Sequence, residues 1–480
     1  MRVHLYRSRV LQSVIIESHF AIYLRGYEMV VRQKYNIIDM DKGTLDRDIF
    51  VGEQIYQEEL EKVFGRAWLW VGHESLIPNP NDFFLTYMGE DPVILTRDAK
   101  GEVHAFLNMC RHRGNRIVRA DDGNAKNFMC SYHGWTYSNE GKLVSVPGLQ
   151  EAYYGELDVD NLGLVPVAHL DTYAGFVFAT WDKQAPSLES YLGDMRFYMD
   201  IMFNRREGGI HLFGPDKWLI RTNWKNPADN FSGDMYHGAI SHGSAMIVRE
   251  KMLSQGNAGP RPNPYAQPGN QVAAGNGHGC YVNVVEHSAD LWNQQGQQRH
   301  PALVDYEKSI LPEIEQRIGH LRARRTRTIH HTVFPNMSWL NNGTVRMWHP
   351  RGPDQVEIWA FVSVDMEAPD DLKHLYKLAS MQMFGPSGMF EQDDMDNWRN
   401  AAEAGRSTIA RKYRQNIAMG IGHEQPHQDL PGSVVPRMHA EVAQRGMYNR
   451  WQQFMNAESW ADIPIDPITA KFEGTAGMKG

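Results

Sequence analysis

The densest chemistry in this chain lies between positions 110 and 133, in the stretch CRHRGNRIVRADDGNAKNFMCSYHGW. Cys110 and His112 read Cys-x-His; further along the same stretch, Cys130 and His133 read Cys-x-x-His. The chain has three cysteines, and two of them stand here, each with a histidine close by. Two thiolates and two imidazoles are the donor set of a two-iron, two-sulfide cluster whose irons are inequivalently ligated. Gly114 and Gly134 let the backbone turn tightly at each loop tip. Structural zinc is the alternative occupant, but zinc sites usually pair Cys with Cys and His with His, whereas here each loop supplies one of each. The chemistry indicated is electron handling.

A second constellation lies in DNFSGDMYHGAISH, residues 229–242. His237 and His242 stand five apart, and Asp234 precedes the first by three. On a straight helix, positions i and i+5 diverge by about 140°. Both imidazoles reach one metal only if the helix ends or bulges between them, a break assigned to Gly238 and Gly243. Asp234 and His237 share a helix face. As a bare pattern, a metal site and a surface group of polar residues both stand. The chain has no GxGxxG opening a helix and no phosphate loop; GNGHG at 275–279 is a poor imitation, so no nicotinamide or flavin site is read here. The single remaining cysteine, Cys280, excludes a four-cysteine cluster. Electrons must therefore arrive from other proteins.

The first motif resembles the Rieske proteins, in which two Cys hold one iron and two His the other. DNFSGDMYHGAISH resembles the iron-binding stretch of Rieske non-haem iron oxygenase large subunits, and FGPSGMFEQDD at 384–394 resembles the segment that supplies their third ligand. The likeness runs from about residue 50 to about residue 400. It implies a [2Fe-2S] cluster on Cys110, His112, Cys130 and His133, and a mononuclear Fe(II) on His237, His242 and Asp394, with coordination positions left open for oxygen. Asp394 is chosen over Asp393 and Asp396 by its place in the motif, with Asp396 read as solvated. The resemblance gives Asp234 a catalytic role, hydrogen-bonding a cluster histidine, here His133, of an adjacent subunit and so linking the two metal centres. Asn230 stands beside it. Phe231, Met235, Phe384 and Phe390 then line a substrate pocket, with Met389 adding soft apolar surface beside Met235 and with Thr328 and His330 as weaker candidates; His331 and His349 are read as structural.

The implied enzyme is the terminal oxygenase component of an aromatic-ring-hydroxylating dioxygenase. It would add both atoms of O2 to one face of the ring as a cis-dihydrodiol, drawing on NADH through a separate reductase and often a ferredoxin. The apolar lining favours a neutral mono- or polycyclic hydrocarbon. The resemblance also suggests a small beta subunit and an α3 or α3β3 oligomer. The alternatives are a Rieske monooxygenase or O-demethylase acting on a substituted aromatic, an electron-transfer Rieske protein, and a zinc-stabilised binding module.

These motifs need a scaffold. With 480 residues and 42% hydrophobic content, the chain can bury one large core or two. A Rieske domain needs about a quarter of that length, so a second domain is required. The net charge of −8, with both signs interspersed, argues against a nucleic-acid partner. No run approaches the ~20 apolar residues of a membrane span. The cysteine usage fits a reducing cytoplasm.

The expected organisation is a disordered extension over 1–28, an N-terminal helical part of the catalytic domain over 29–66, a Rieske domain over 67–185 and a catalytic domain over 186–480. The fold class is α+β: a small all-β domain set before or within a larger domain of antiparallel sheet and helices, of helix-grip type. Spacing predicts a helix over 53–65, mostly helical structure over 223–245 and a long loop over 253–280. It further predicts a hairpin over 332–349 turning at Asn342-Gly343, a strand over 356–365 and a helix over 370–384 stopped by Gly385-Pro386.

Overall fold

The computed structural model describes residues 35–253, 263–288 and 300–475. The extension expected over 1–28 lies outside the described residues. From Ile37 onward the chain forms one compact unit.

After a short antiparallel pair over 38–45, a short helix, α1 (Glu53–Glu59), runs on as a wider turn to Phe64, with Gly65 after it. Its buried Glu59 ties it to the second half of the chain, accepting from Lys225, from Trp224 Nε1 at 3.1 Å and from Trp451 Nε1 at 2.7 Å. The all-β part follows in three small sheets. β1 is Leu69–His73, β2 Asp82–Met88, β3 Asp91–Arg97, β4 Val103–Leu107, β5 Asp122–Asn124, β6 Asn127–Met129, β7 Thr136–Ser138, β8 Leu143–Ser145, β9 His169–Tyr173 and β10 Phe176–Thr180. The sheets run β4-β3-β2-β5, β8-β7-β6 and β9-β10-β1. In the β2–β3 pair Phe84 stands opposite Leu95, and Phe83 and Ile94 are buried as well, so the pair is covered on both faces. One core gathers Phe83, Ile94, Phe106, Phe128, Trp135 and Tyr137 around the buried Cys110 and Cys130.

The second half is built on one antiparallel sheet. Its strands are β11 (Ile210–Ile220), β12 (Asn270–Ala273), β13 (Gly279–Val284), β14 (Thr326–Val333), β15 (Met337–Leu340), β16 (Thr344–Pro350), β17 (Val356–Asp365) and β18 (Ser433–Val435), in the order β11-β17-β16-β15-β14-β13-β12-β18. Among the described residues every pairing in it is antiparallel. Helices cover it: α2 (Met195–Phe203), α3 (Lys225–Phe231), α4 (Gly238–Ser241), α5 (Gly243–Leu253), α6 (Pro301–Ile318), α7 (Asp370–Phe384), α8 (Glu391–Gly405) and α9 (Val442–Asn456). α9 buries Tyr448, Trp451 and Phe454 and lies against β12 and β13. The two halves are clasped at Trp70, whose N–H donates to Asn336 Oδ1 at 3.0 Å and whose carbonyl accepts from Asn336 Nδ2 at 2.9 Å.

The strand over 356–365 and the helix over 370–384 have the expected bounds. The hairpin is shorter than read: its strands are β15 and β16, and residues 332–333 end β14. Its turn does pass through Asn342 and Gly343, the latter at φ +90°. One expectation fails. Of the region 253–280, residues 254–262 lie outside the described residues, and the rest is not one loop, because β12 and the start of β13 occupy it; Gly275, Asn276 and Gly277 make the bend between these two strands. The region 223–245 is mostly helical as expected, but in three pieces, with α3 ending at Phe231, α4 spanning Gly238–Ser241 and α5 starting at Gly243.

Candidate active site

Two matching loop tips carry the first motif, one between β4 and β5 and one between β6 and β7. In one, Cys110 N–H donates to Asn115 O at 2.9 Å and Gly114 N–H donates to Cys110 O at 2.9 Å. In the other, Cys130 N–H donates to Trp135 O at 2.8 Å and Gly134 N–H to Cys130 O at 2.9 Å. Both glycines have φ +74°, where a Cβ is strained, so the turn needs them. The loops bring the four side chains together: the His112 and His133 rings lie 4.5 Å apart, and His112 stacks on Trp135 at 4.9 Å.

These residues fit a cluster. His112 Nδ1 is buried without a hydrogen-bond partner, an atom that a metal would satisfy. Asn115 Nδ2 is 3.6 Å from Cys130 Sγ and the Tyr137 hydroxyl is 3.4 Å from Cys110 Sγ. Burial raises the Cys130 thiol, but the N–H groups of Tyr132 and His133 and the Asn115 amide pull it below its ordinary value, favouring thiolate.

The second motif sits where helices stop. The backbone turns at Gly233, with φ +112°, and a Cβ there would meet Cys280 carbonyl carbon at 3.0 Å. Gly233 makes the break between α3 and His237, while the break expected between the two histidines falls where α4 ends at Ser241 and α5 begins at Gly243. His237 precedes α4, and His242 follows it before α5 begins. Across from them, α8 presents Glu391, Asp394, Trp398 and Ala402 on its buried stripe. His237 Nε2, His242 Nε2 and Asp394 Oδ1 form a near-equilateral triangle with sides of 3.2, 3.3 and 3.3 Å. Three donor atoms at that spacing can hold one metal ion on a single face.

The outer partners set which nitrogen faces inward. His237 Nδ1 is 3.2 Å from Asp234 Oδ2, and His242 Nδ1 is 3.2 Å from Asp393 Oδ2. Each Nδ1–H is thus directed to a carboxylate, leaving Nε2 to face the triangle. Burial pulls the His237 imidazole down, but Asp234 and then Asp394 outweigh it and hold the ring at about 9; the same negative field favours a bound cation. Asp393 is therefore a partner of His242 rather than a solvated neighbour. Asp396 is exposed and pairs with Arg399 at 2.9 Å.

The triangle opens on a cavity of about 130 Å³ lined by Asn230, Phe231, Asp234, Met235, Phe384 and Phe390, all picked out from the sequence. His330 lines it too, its ring stacked 6.2 Å from that of His237; burial pushes this imidazole down to about 3 and keeps it neutral. Thr328 and Met389 do not line it: Thr328 is buried beside another cavity, and Met389 is 44% exposed. His331 is buried and stacked on Trp339, and His349 is buried beside Trp359. Sequence reading missed Met246, Ile329, Leu340, Asn341, Asn342 and Met383. Met246 stands one helical turn after His242, a spacing that could have revealed it. No lysine or arginine lines the cavity among the described residues. The nearby Arg346 is buried behind Phe384, bound to the Phe384 carbonyl and, at 2.7 Å, to Glu391.

Comparison with known proteins agrees with this arrangement. Residues 67–171 match the family Rieske [2Fe-2S] domain, and residues 188–457 match the family Ring hydroxylating alpha subunit (catalytic domain). The chain is 42% identical to the biphenyl dioxygenase subunit alpha of Paraburkholderia xenovorans, over 89% of this chain and 94% of that one. It is 38% identical to the benzene 1,2-dioxygenase subunit alpha of Pseudomonas putida, over 88% and 94% of the two chains. A solved structure of naphthalene 1,2-dioxygenase with indole bound in the active site superposes with a TM-score of 0.80 at 34% identity, covering 90% of this chain and 97% of that one. No described helix is long and apolar enough to cross a membrane. The chain belongs to the Rieske non-haem iron aromatic-ring-hydroxylating dioxygenases, as a large (alpha) subunit with a [2Fe-2S] cluster and a mononuclear iron.

Proposed function

We propose that this chain cis-dihydroxylates a neutral aromatic ring, with Cys110, His112, Cys130 and His133 holding the cluster and His237, His242 and Asp394 holding the iron. The observation that carries this is the triangle of donor atoms, with sides of 3.2, 3.3 and 3.3 Å, opening directly on an apolar cavity. When bound, the cluster supplies electrons and the iron activates O2 in the positions that a facial ligand set leaves free. Overall, the arene and O2 take up two electrons and two protons and give one cis-dihydrodiol.

The chain's own residues orient, enclose and exclude water. Asp234 and Asp393 fix the two imidazoles. Phe231, Phe384 and Phe390 line the cavity and offer flat surfaces against which a ring lies. The cavity measures about 130 Å³. An engineered protein interior of roughly 150 Å³ takes up benzene, so this is the scale of one aromatic ring. Met246 and Met383 are adaptable walls through which a second ring is accommodated. With the Arg346 charge matched by Glu391 and no lysine or arginine lining the cavity among the described residues, the site favours a hydrocarbon over an aromatic acid.

Asp234 also serves, in this reading, as the bridge to His133 of an adjacent subunit, within an α3 or α3β3 assembly that includes a small beta subunit. Electrons come from NADH through a reductase, with or without a ferredoxin. The segment 53–66 belongs with the catalytic domain, to which Glu59 fastens it. The test is product analysis under ¹⁸O-labelled O2 across a panel of arenes with electron-transfer partners supplied. A cis-dihydrodiol carrying two labelled oxygens supports the reading; a singly labelled phenol or a demethylated product overturns it in favour of a monooxygenase.

A further inference from the structure

Arg346 holds two helices at once. It stands on β16, opposite Ser338 of β15 and Ala360 of β17, and its guanidinium lies over the Trp218 ring at 5.1 Å. One terminal nitrogen, Nη2, donates to the Phe384 carbonyl at the end of α7 and also to Glu391 Oε2 at the start of α8, the latter at 2.7 Å. A cation at a helix C-terminus and a carboxylate at a helix N-terminus each meet a favourable dipole.

The segment between these two contacts carries the working part of the site. Phe384 and Phe390 flank its turn and line the cavity, their rings 5.7 Å apart. Asp394 lies one helical turn further on, its N–H donating to Phe390 O at 3.2 Å, and the Phe390 ring is 4.8 Å from that of His242. Inside the turn, Phe390 N–H donates to Met383 O at 3.0 Å and Gly388 N–H to Gly385 O at 2.7 Å. Those bonds stay within the segment. Arg346 ties both of its ends to the central sheet.

Stability does not account for this pair. Both side chains are fully enclosed, yet Arg346 Nε and Nη1 and Glu391 Oε1 have no partner among the described residues. A buried ion pair is weak evidence for stability, and well-packed apolar side chains often replace one at no cost. What a planar guanidinium supplies is direction.

We propose that Arg346 is a positioning residue for regioselectivity. By holding the Phe384 carbonyl and Glu391 together, it sets where the Phe384 wall stands relative to Asp394. It thereby sets which edge of an aromatic ring is turned toward His237, His242 and Asp394. The inference rests on the ring-dihydroxylation reading above and assigns its regiochemistry to a side chain outside the cavity lining. Neighbouring edges of an arene are offset by about one bond length, and a misplacement of about 1 Å can cost on the order of 100-fold in rate.

The experiment measures the ratio of the two cis-dihydrodiols that biphenyl can give, ortho–meta and meta–para, with the reconstituted holoenzyme. Arg346→Met/Glu391→Met removes both charges together, so neither is left alone in the interior. Arg346→Lys is the second variant; it keeps a charge opposite Glu391 and lacks the planar fork. Iron, sulfide and the thermal midpoint are recorded for each. The ratio is expected to move at least about fivefold in the double variant and in the same direction in Arg346→Lys, with iron and cluster retained. In a Phe384→Ala background the same changes are expected to move it less than about twofold further, because the effect passes through Phe384. A purely structural role would lower the thermal midpoint and leave the ratio alone. A ratio that stays within about twofold of the parent in every variant that keeps its iron, or an undiminished shift in the Phe384→Ala background, overturns the inference while ring dihydroxylation stands. Loss of the mononuclear iron, or of folded protein, from both variants overturns it too, since Arg346 would then serve Asp394 or folding rather than Phe384. Absence of dihydrodiol from the unmodified protein overturns ring dihydroxylation itself, and this inference with it.

Discussion

Asp393 and His242 stand 3.2 Å apart, carboxylate Oδ2 to imidazole Nδ1, although 151 residues separate them in sequence. The contact joins the start of α8 to the gap between α4 and α5 and fixes the ring that faces the proposed iron. Removing such an outer partner of a metal-bound histidine typically costs about 10–100-fold in metal affinity or activity. Asp393→Ala is expected to weaken iron retention by about that factor, read as iron per cluster after dialysis against a chelator. Unchanged retention would show that Asp393 does not orient His242.

Asp234 makes the matching contact to His237, so its substitution separates two effects. Asp234→Asn keeps a hydrogen-bond acceptor and removes the charge. Iron content is expected to stay within about threefold of the unmodified protein, whereas product formation falls at least about tenfold. Cluster reduction by a chemical reductant is expected to persist. Normal steady-state turnover in this variant would remove Asp234 from the electron path.

Hydrogen bonds to the sulfurs of a cluster raise its reduction potential. The Tyr137 hydroxyl, 3.4 Å from Cys110 Sγ, is one such donor. A hydrogen bond of about 1 kcal/mol corresponds to roughly 40 mV for one electron. Tyr137→Phe is expected to lower the midpoint potential by about that amount, measured by redox titration of the cluster spectrum. An unchanged potential would mean that the hydroxyl does not bond to the sulfur when the cluster is in place.

The buried pair of Lys225 and Glu59 fastens α1 to α3, and both side chains are fully enclosed. Breaking such a pair from one side leaves an uncompensated charge and costs about 3–5 kcal/mol. Lys225→Met is expected to lower the thermal unfolding midpoint markedly, and adding Glu59→Gln to recover part of the loss. A Lys225→Met variant as stable as the parent would contradict this role.

How much of this can be read from the sequence depends on the residue. The Cys/His loops are legible because their chemistry is local: ligand and turn glycine lie within four positions of each other. The helix over 370–384 and the strand over 356–365 are legible because their apolar spacing is regular. The break before His237 is not assignable to Gly233 from sequence, since the need for a glycine there arises from the approach of Cys280, on a strand distant in sequence. Asp394 is in helical register with Glu391, Trp398 and Ala402, a stripe visible in the sequence once α8 is known to bury that face. The contact of Asp393 with His242 is not legible, because only the fold brings the two segments together. Asn342 is visible as a turn residue, but its place in the cavity lining is not.

The central claim is that His237, His242 and Asp394 hold one iron apart from the cluster. It is tested most directly by iron and sulfide analysis of Asp394→Ala beside the parent, with the cluster spectrum recorded on both. The expected result is loss of the mononuclear iron and of turnover, with sulfide content and cluster spectrum unchanged. An Asp394→Ala protein that keeps its full iron content and its activity would contradict it.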